Sequence, residues 1–159
     1  MIRMTHVVLT MGLPLLLGAF LGCGEKKHVE LFHAPGVIFT EKQSLESAFE
    51  FSGKRVWMPT LDQIEELERD LPLYLTKSNH PDAGAMVASL PNYRRQYLGF
   101  IDEGHQRIYV NAFCQGHTAT DERWRTEFVL VQDGGSCYFQ AVYDVESKHF
   151  IQLSVNGVG

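Results

Sequence analysis

The second half of the chain constrains the fold most. From Tyr97 to Val155, short runs rich in β-branched and aromatic residues alternate with clusters of turn formers, which is the pattern of consecutive antiparallel strands. Tyr97-Leu98-Gly99-Phe100-Ile101 and the run from Arg107 to Phe113 flank Glu103-Gly104-His105 and predict two strands around a tight turn. Phe128 to Val131 and Tyr138 to Tyr143 flank Asp133-Gly134-Gly135-Ser136 and predict a second hairpin, and Phe150 to Val155 closes the chain as a last strand. Side chains alternate across a strand, so Ile108, Val110 and Ala112 share one face, as do Phe139, Ala141 and Tyr143.

One clear helix precedes these strands. Thr60 stands where an N-cap belongs, Gln63 completes a capping box, and Leu61, Ile64, Leu67 and Leu71 recur at spacings of three and four. Asp62, Glu65, Glu66 and Glu68 crowd its first half, which suits the positive end of the helix dipole. Pro72 predicts that the helix ends near Asp70 or continues kinked through Leu73-Tyr74-Leu75. Ser78 to Gly84 reads as a loop, while Val37 to Thr40, Ser44 to Phe51 and Arg55 to Met58 are short and ambiguous. The expected fold class is α+β, one amphipathic helix packed on a four- to five-stranded antiparallel meander sheet, with residues 30–159 as a single domain.

The first 22 residues read differently, as a signal peptide: Arg3, an apolar run from Val7 to Leu21, then small residues. Phe20-Leu21-Gly22-Cys23 resembles the lipobox of bacterial lipoproteins, which implies that Cys23 becomes the acylated first residue and residues 23–29 a tether. Phe20 and Leu21 depart from the preferred residue types, so plain secretion with a cut after Gly24 stands beside it. A retained anchor is the third reading, but the run is shorter than the ~20 apolar residues of a spanning helix. Gly24 after the Cys resembles lipoproteins sent to the outer membrane. Without residues 1–22 the chain has 13 basic and 19 acidic residues, a balance of −6. No basic cluster beyond Arg94-Arg95 marks a nucleic-acid partner, and that pair reads as a solvated strand start.

Cys114 and Cys137 remain as a pair once Cys23 is assigned to lipid, and a disulfide between them fits an oxidising compartment. The meander opposes it. If Arg107–Cys114, Trp124–Val131 and Cys137–Asp144 are three consecutive strands, the two thiols sit at opposite edges of the sheet, beyond the ~7 Å Cα separation a disulfide spans. Either the meander is wrong or the thiols are free.

Chemistry is sparse. No histidine pair has metal-ligand spacing, there is no Cys-x-x-Cys, and no motif implies a cofactor. No catalytic residue is assigned; His117, Asp121 and Glu122, in the loop over 115–123, are the raw material for a hydrolase-like alternative. Tyr109, Phe113, Trp124 and Tyr138, with Asp133 and Gly134 at the turn, form the candidate interaction surface if the helix covers the opposite face of the sheet. Burial of those aromatics beneath residues 30–58 is the structural alternative.

Trp57-x-Pro59, Tyr97-x-Gly99-Phe100-Ile101, Ile108-Tyr109-x-Asn111, Trp124, Asp133-Gly134-Gly135, Tyr143-Asp144 and Asn156-Gly157 together resemble a set of small uncharacterised bacterial exported proteins, over about the last hundred residues. The layout also resembles cystatin-like folds, some of which are inhibitors or scaffold proteins. The expected function is a non-enzymatic cell-envelope lipoprotein that faces the periplasm and binds a protein or an envelope component. The alternatives are the hydrolase and a small-ligand carrier, which would need a cavity between helix and sheet.

Overall fold

A computed structural model describes residues 28–31, 34–39, 53–116 and 122–158. The expected signal peptide, Cys23, His117 and Asp121 lie outside them. Among the described residues the architecture is mixed α+β, with two α-helices and a mostly antiparallel sheet. The strands are β1 (His28–Leu31), β2 (Ala34–Ile38), β3 (Arg55–Trp57), β4 (Tyr93–Asp102), β5 (His105–Cys114), β6 (Tyr138–Asp144) and β7 (His149–Val155). The tether expected over 23–29 therefore gives way to β1 at His28. The sheet runs β1-β2-β4-β5-β6-β7, and β2 pairs with β4 in parallel, unlike a pure meander. β5 occupies one whole edge of β4. β2 and β3 share the other, β2 beside Arg95–Tyr97 and β3 beside Gly99–Ile101.

The turn between β4 and β5 forms as its residues predict. Glu103 and Gly104 both take positive φ, +50° and +88°, the condition for a tight two-residue hairpin whose twist matches its strands. The second predicted hairpin does not form. Phe128 to Val131 is not a strand, and β5 pairs directly with β6. Gly134 and Gly135 lead into a short 3-10 turn over Gly135–Cys137, where the Gly135 amide donates to the Gly157 carbonyl. A Cβ on Gly134 would lie 2.6 Å from the Tyr138 ring, so close packing and a positive φ of 97° both favour glycine there.

Helix α1 (Leu61–Lys77) starts at Thr60 with the predicted capping box: the Gln63 amide donates to the Thr60 hydroxyl, and the Thr60 amide to Gln63 Oε1. It runs through Pro72 to Lys77, longer than an end near Asp70. A second helix, α2 (Ala83–Ser89), occupies residues expected in part as loop. Ile64, Leu67, Leu71 and Leu75 of α1 and Met86 of α2 pack on the sheet face made by Tyr93, Tyr97, Ile108, Val110, Ala112, Phe139, Ala141 and Tyr143. Leu61, expected in that core, is 39% exposed because it falls at the helix's first residue.

Gly99 shows how tightly the β3–β4 pair closes. A Cβ there would sit 2.5 Å from the Trp57 carbonyl oxygen and 2.8 Å from its indole ring, and Trp57 is itself fixed by Nε1–H donating to the Phe100 carbonyl at 3.1 Å. Gly99→Ala is expected to lower the unfolding free energy by about 1–3 kcal/mol through overpacking. Urea denaturation checks it; a midpoint equal to wild type would mean that β3 yields without loss.

Candidate functional site

The predicted aromatic surface is an interior. Tyr109, Phe113, Trp124 and Tyr138 are all buried, Trp124 at 2% exposure. They pack with Val37, Phe39, Val56, Leu98 and Phe100 on the sheet face opposite the helices. The cover is only partly the expected 30–58 segment. Residues 122–134 lie across the face as an irregular strap, with Phe128, Val129 and Val131 against the aromatic cluster. Asp133 and Gly134 remain exposed at its end.

Beyond its 3-10 turn over Glu122–Arg125 the strap has no regular structure and must satisfy its backbone polar groups elsewhere. Gln96, Asn111 and Gln140 stand in register across β4, β5 and β6 and point at it. Gln96 Nε2 donates to the carbonyls of Trp124 and Glu127, and Gln96 Oε1 accepts from the Val129 amide at 2.9 Å. Asn111 Nδ2 donates to the Val129 carbonyl at 2.8 Å, and Asn156 Nδ2 to those of Val131 and Asp133. This row of amides has a structural purpose, to stand in for a neighbouring strand.

The same arrangement decides the cysteines. Phe113 of β5 faces Tyr138 of β6, so Cys114 and Cys137 are neighbours at the strand ends, and they form a disulfide with Cα atoms 5.0 Å apart. The opposite-edge geometry fails because Trp124–Val131 lies over the sheet instead of inside it. The disulfide closes the loop that carries the strap.

The loop expected to hold hydrolase chemistry offers little among the described residues. Glu122 pairs with Arg125, and Arg125 also lies 4.5 Å from the Trp124 ring. Among the described residues no group of three His, Cys, Asp or Glu is placed to hold a metal, and no helix is long and apolar enough to cross a membrane.

Charge gathers instead where sequence reasoning placed only surface. Arg95, expected as solvated, is 2% exposed, and Glu68, read as one of the acids that suit the helix dipole, is 7% exposed. Arg95 Nε lies 2.9 Å from Glu68 Oε1, a buried ion pair. Its Nη1 and Nη2 donate to the carbonyls of Tyr93 at 2.8 Å and Leu90 at 3.0 Å. The Tyr97 hydroxyl donates to Glu68 Oε1 at 2.9 Å. Burial pushes the Glu68 carboxyl above its usual range, against the pull of Arg95 and Tyr97. The buried Tyr97 hydroxyl is held neutral by desolvation and by the carboxylate beside it.

This pair forms the floor of a cleft of about 440 Å³ between α1, α2 and the start of β4. Pro72, Val87, Leu90 and Pro91 make apolar walls, and Arg69 is exposed at the rim. Pro72 sits inside α1, where its missing N–H leaves the Glu68 carbonyl one turn earlier without its helical donor, and it lines the cleft. An apolar concavity with a few convergent polar groups and a perturbed carboxyl is the usual form of a small-molecule site. No family model, curated protein or solved structure matches the chain.

Both floor residues were readable in principle. Glu68 falls on the helical stripe of Ile64, Leu67, Leu71 and Leu75, and Arg95 alternates with Tyr93 and Tyr97 on one strand face.

Proposed function

We propose that the chain is a non-enzymatic, exported lipoprotein, tethered through Cys23 to a bacterial membrane facing the periplasm, the outer membrane in preference to the inner, whose domain binds a small envelope component in the Glu68–Arg95 cleft. The observation that carries this reading is the buried ion pair at the floor of an apolar-walled cavity. Support for export comes from the leader pattern of residues 1–22 and from the disulfide, which persists in oxidising compartments. The resemblance to small exported bacterial proteins belongs to the same proposal.

A protein partner is the second reading. Leu73 and Ile151 stand exposed on either side of Tyr74, in the shallow depressions between α1 and β7. Simple strand addition to β7 is disfavoured, because the register slips at Ile151 and a bulge blunts an edge.

The test is to purify the tethered protein from its own membrane, extract it with organic solvent and compare small-molecule mass profiles with those of Val87→Trp, which fills the cleft from α2. Wild type is expected to release a cargo that the variant lacks. Identical profiles would sink the cleft and leave the α1–β7 depression as the binding surface.

A further inference from the structure

We infer that the ligand of this cleft is a small amphipathic monocarboxylate, a single anionic head on an aliphatic or aryl body; the inference rests on the proposed binding role of the cleft. Charge selects the head. Arg69 and Arg95 bring two positive charges to the lining and Glu68 one negative, an excess of one that a monoanion neutralises and a cation would double. Buried and rim-exposed charges of one sign in a low-dielectric cleft focus that preference.

Hydrogen bonding agrees. Arg95 is held by the carbonyls of Leu90 and Tyr93 and stands 2.9 Å from Glu68, so its buried guanidinium is committed and contributes charge from beneath the cleft. Arg69, exposed at the rim, is the arginine whose side chain is free to meet a carboxylate entering the cleft. The Tyr97 hydroxyl is already engaged with Glu68, which leaves Arg69 as the donor for the head.

Size and wall chemistry select the body. Pro72, Val87, Leu90 and Pro91 give the tail apolar contact and no hydrogen-bonding group from their side chains. A volume of about 440 Å³ lies toward the lower end of the range for sites that enclose drug-sized molecules, so a body of a few carbons to about ten is accommodated and a two-chain lipid is not.

Titration of the isotope-labelled domain by NMR, with octanoate, octanol and octylammonium as probes, tests this directly. Octanoate is expected to shift the amide signals of Val87, Leu90 and Arg95 with a Kd on the order of 1 mM or tighter, and to bind about tenfold or more tightly than either other probe. Arg69→Gln, an exposed substitution that leaves the core untouched, is expected to bring octanoate down to the level of octanol. Octanol equal to octanoate, or octylammonium above it, overturns the carboxylate assignment while the cleft stands as an apolar site. Shifts that fall elsewhere for all three probes, or no binding by any, overturn both.

Discussion

Replacing Arg95 by Met is expected to lower the unfolding free energy at pH 7 by about 3–5 kcal/mol, read from urea denaturation, because it strands Glu68 as a buried, uncompensated carboxylate. Met fills much of the volume of the arginine stem, so lost packing contributes little. What disappears is the counter-charge 2.9 Å from Glu68 Oε1 and the donors to the Leu90 and Tyr93 carbonyls. The double substitution Glu68→Leu/Arg95→Met is expected to restore most of the loss, since a buried ion pair is often replaced by apolar residues at no net cost. A deficit below about 1 kcal/mol in Arg95→Met would mean that water reaches the pair and that the cleft floor is not dry.

The pH dependence carries a definite sign. The folded Glu68 carboxyl titrates above its ordinary value, so between the unfolded and folded values the native state binds more protons, and stability falls as pH rises through that window. Without Arg95 the largest opposing influence is gone, the folded value moves further up and the window widens. The deficit of Arg95→Met is therefore expected to shrink as pH is lowered from 7 toward 5. Asp102 and Asp144 act in the opposite sense. Lys54 and Ser147 hold their carboxyls below the usual range, so their contribution is lost as pH falls through those lowered values. Both are shared by wild type and variant and cancel in the difference.

How much of this was legible depends on whether the controlling contact is local. The capping box of α1, the Glu103-Gly104 turn and the inward parity of Ile108, Val110, Ala112, Phe139, Ala141 and Tyr143 follow from neighbours in the sequence, and the structure has them. Val129-Leu130-Val131 looks like a strand by the same local criteria. It is kept out of the sheet by Gln96, Asn111 and Asn156, which bond its backbone from 33, 18 and 25 residues away, and no periodicity reports that. The parallel β2–β4 pair and the sharing of one β4 edge by β2 and β3 are likewise long-range. Glu68 and Arg95 are a different case. In sequence Arg95 reads as solvated and Glu68 only as a dipole acid, although both fall on the inward stripes of their elements; burial wins because each is the other's partner.

Removing the disulfide with Cys114→Ser/Cys137→Ser is expected to lower stability by about 3–4 kcal/mol, the chain-entropy value for a crosslink between residues 23 apart. The mechanism separates from a packing loss. The strap enclosed by the crosslink is also held by hydrogen bonds from Gln96, Asn111 and Asn156 and by burial of Trp124 against Phe113, none of which involves sulfur. Native geometry should therefore survive, and the loss should come from the larger freedom of the unfolded chain. With Trp57 replaced by Phe so that Trp124 is the remaining indole, the folded double variant is expected to keep the blue-shifted emission of a buried tryptophan while its urea midpoint falls. Red-shifted emission before the unfolding transition would show instead that the disulfide pins the strap in the native state. The amide row would then be too weak to hold it, and Tyr109, Phe113 and Tyr138 would become accessible whenever the crosslink is reduced.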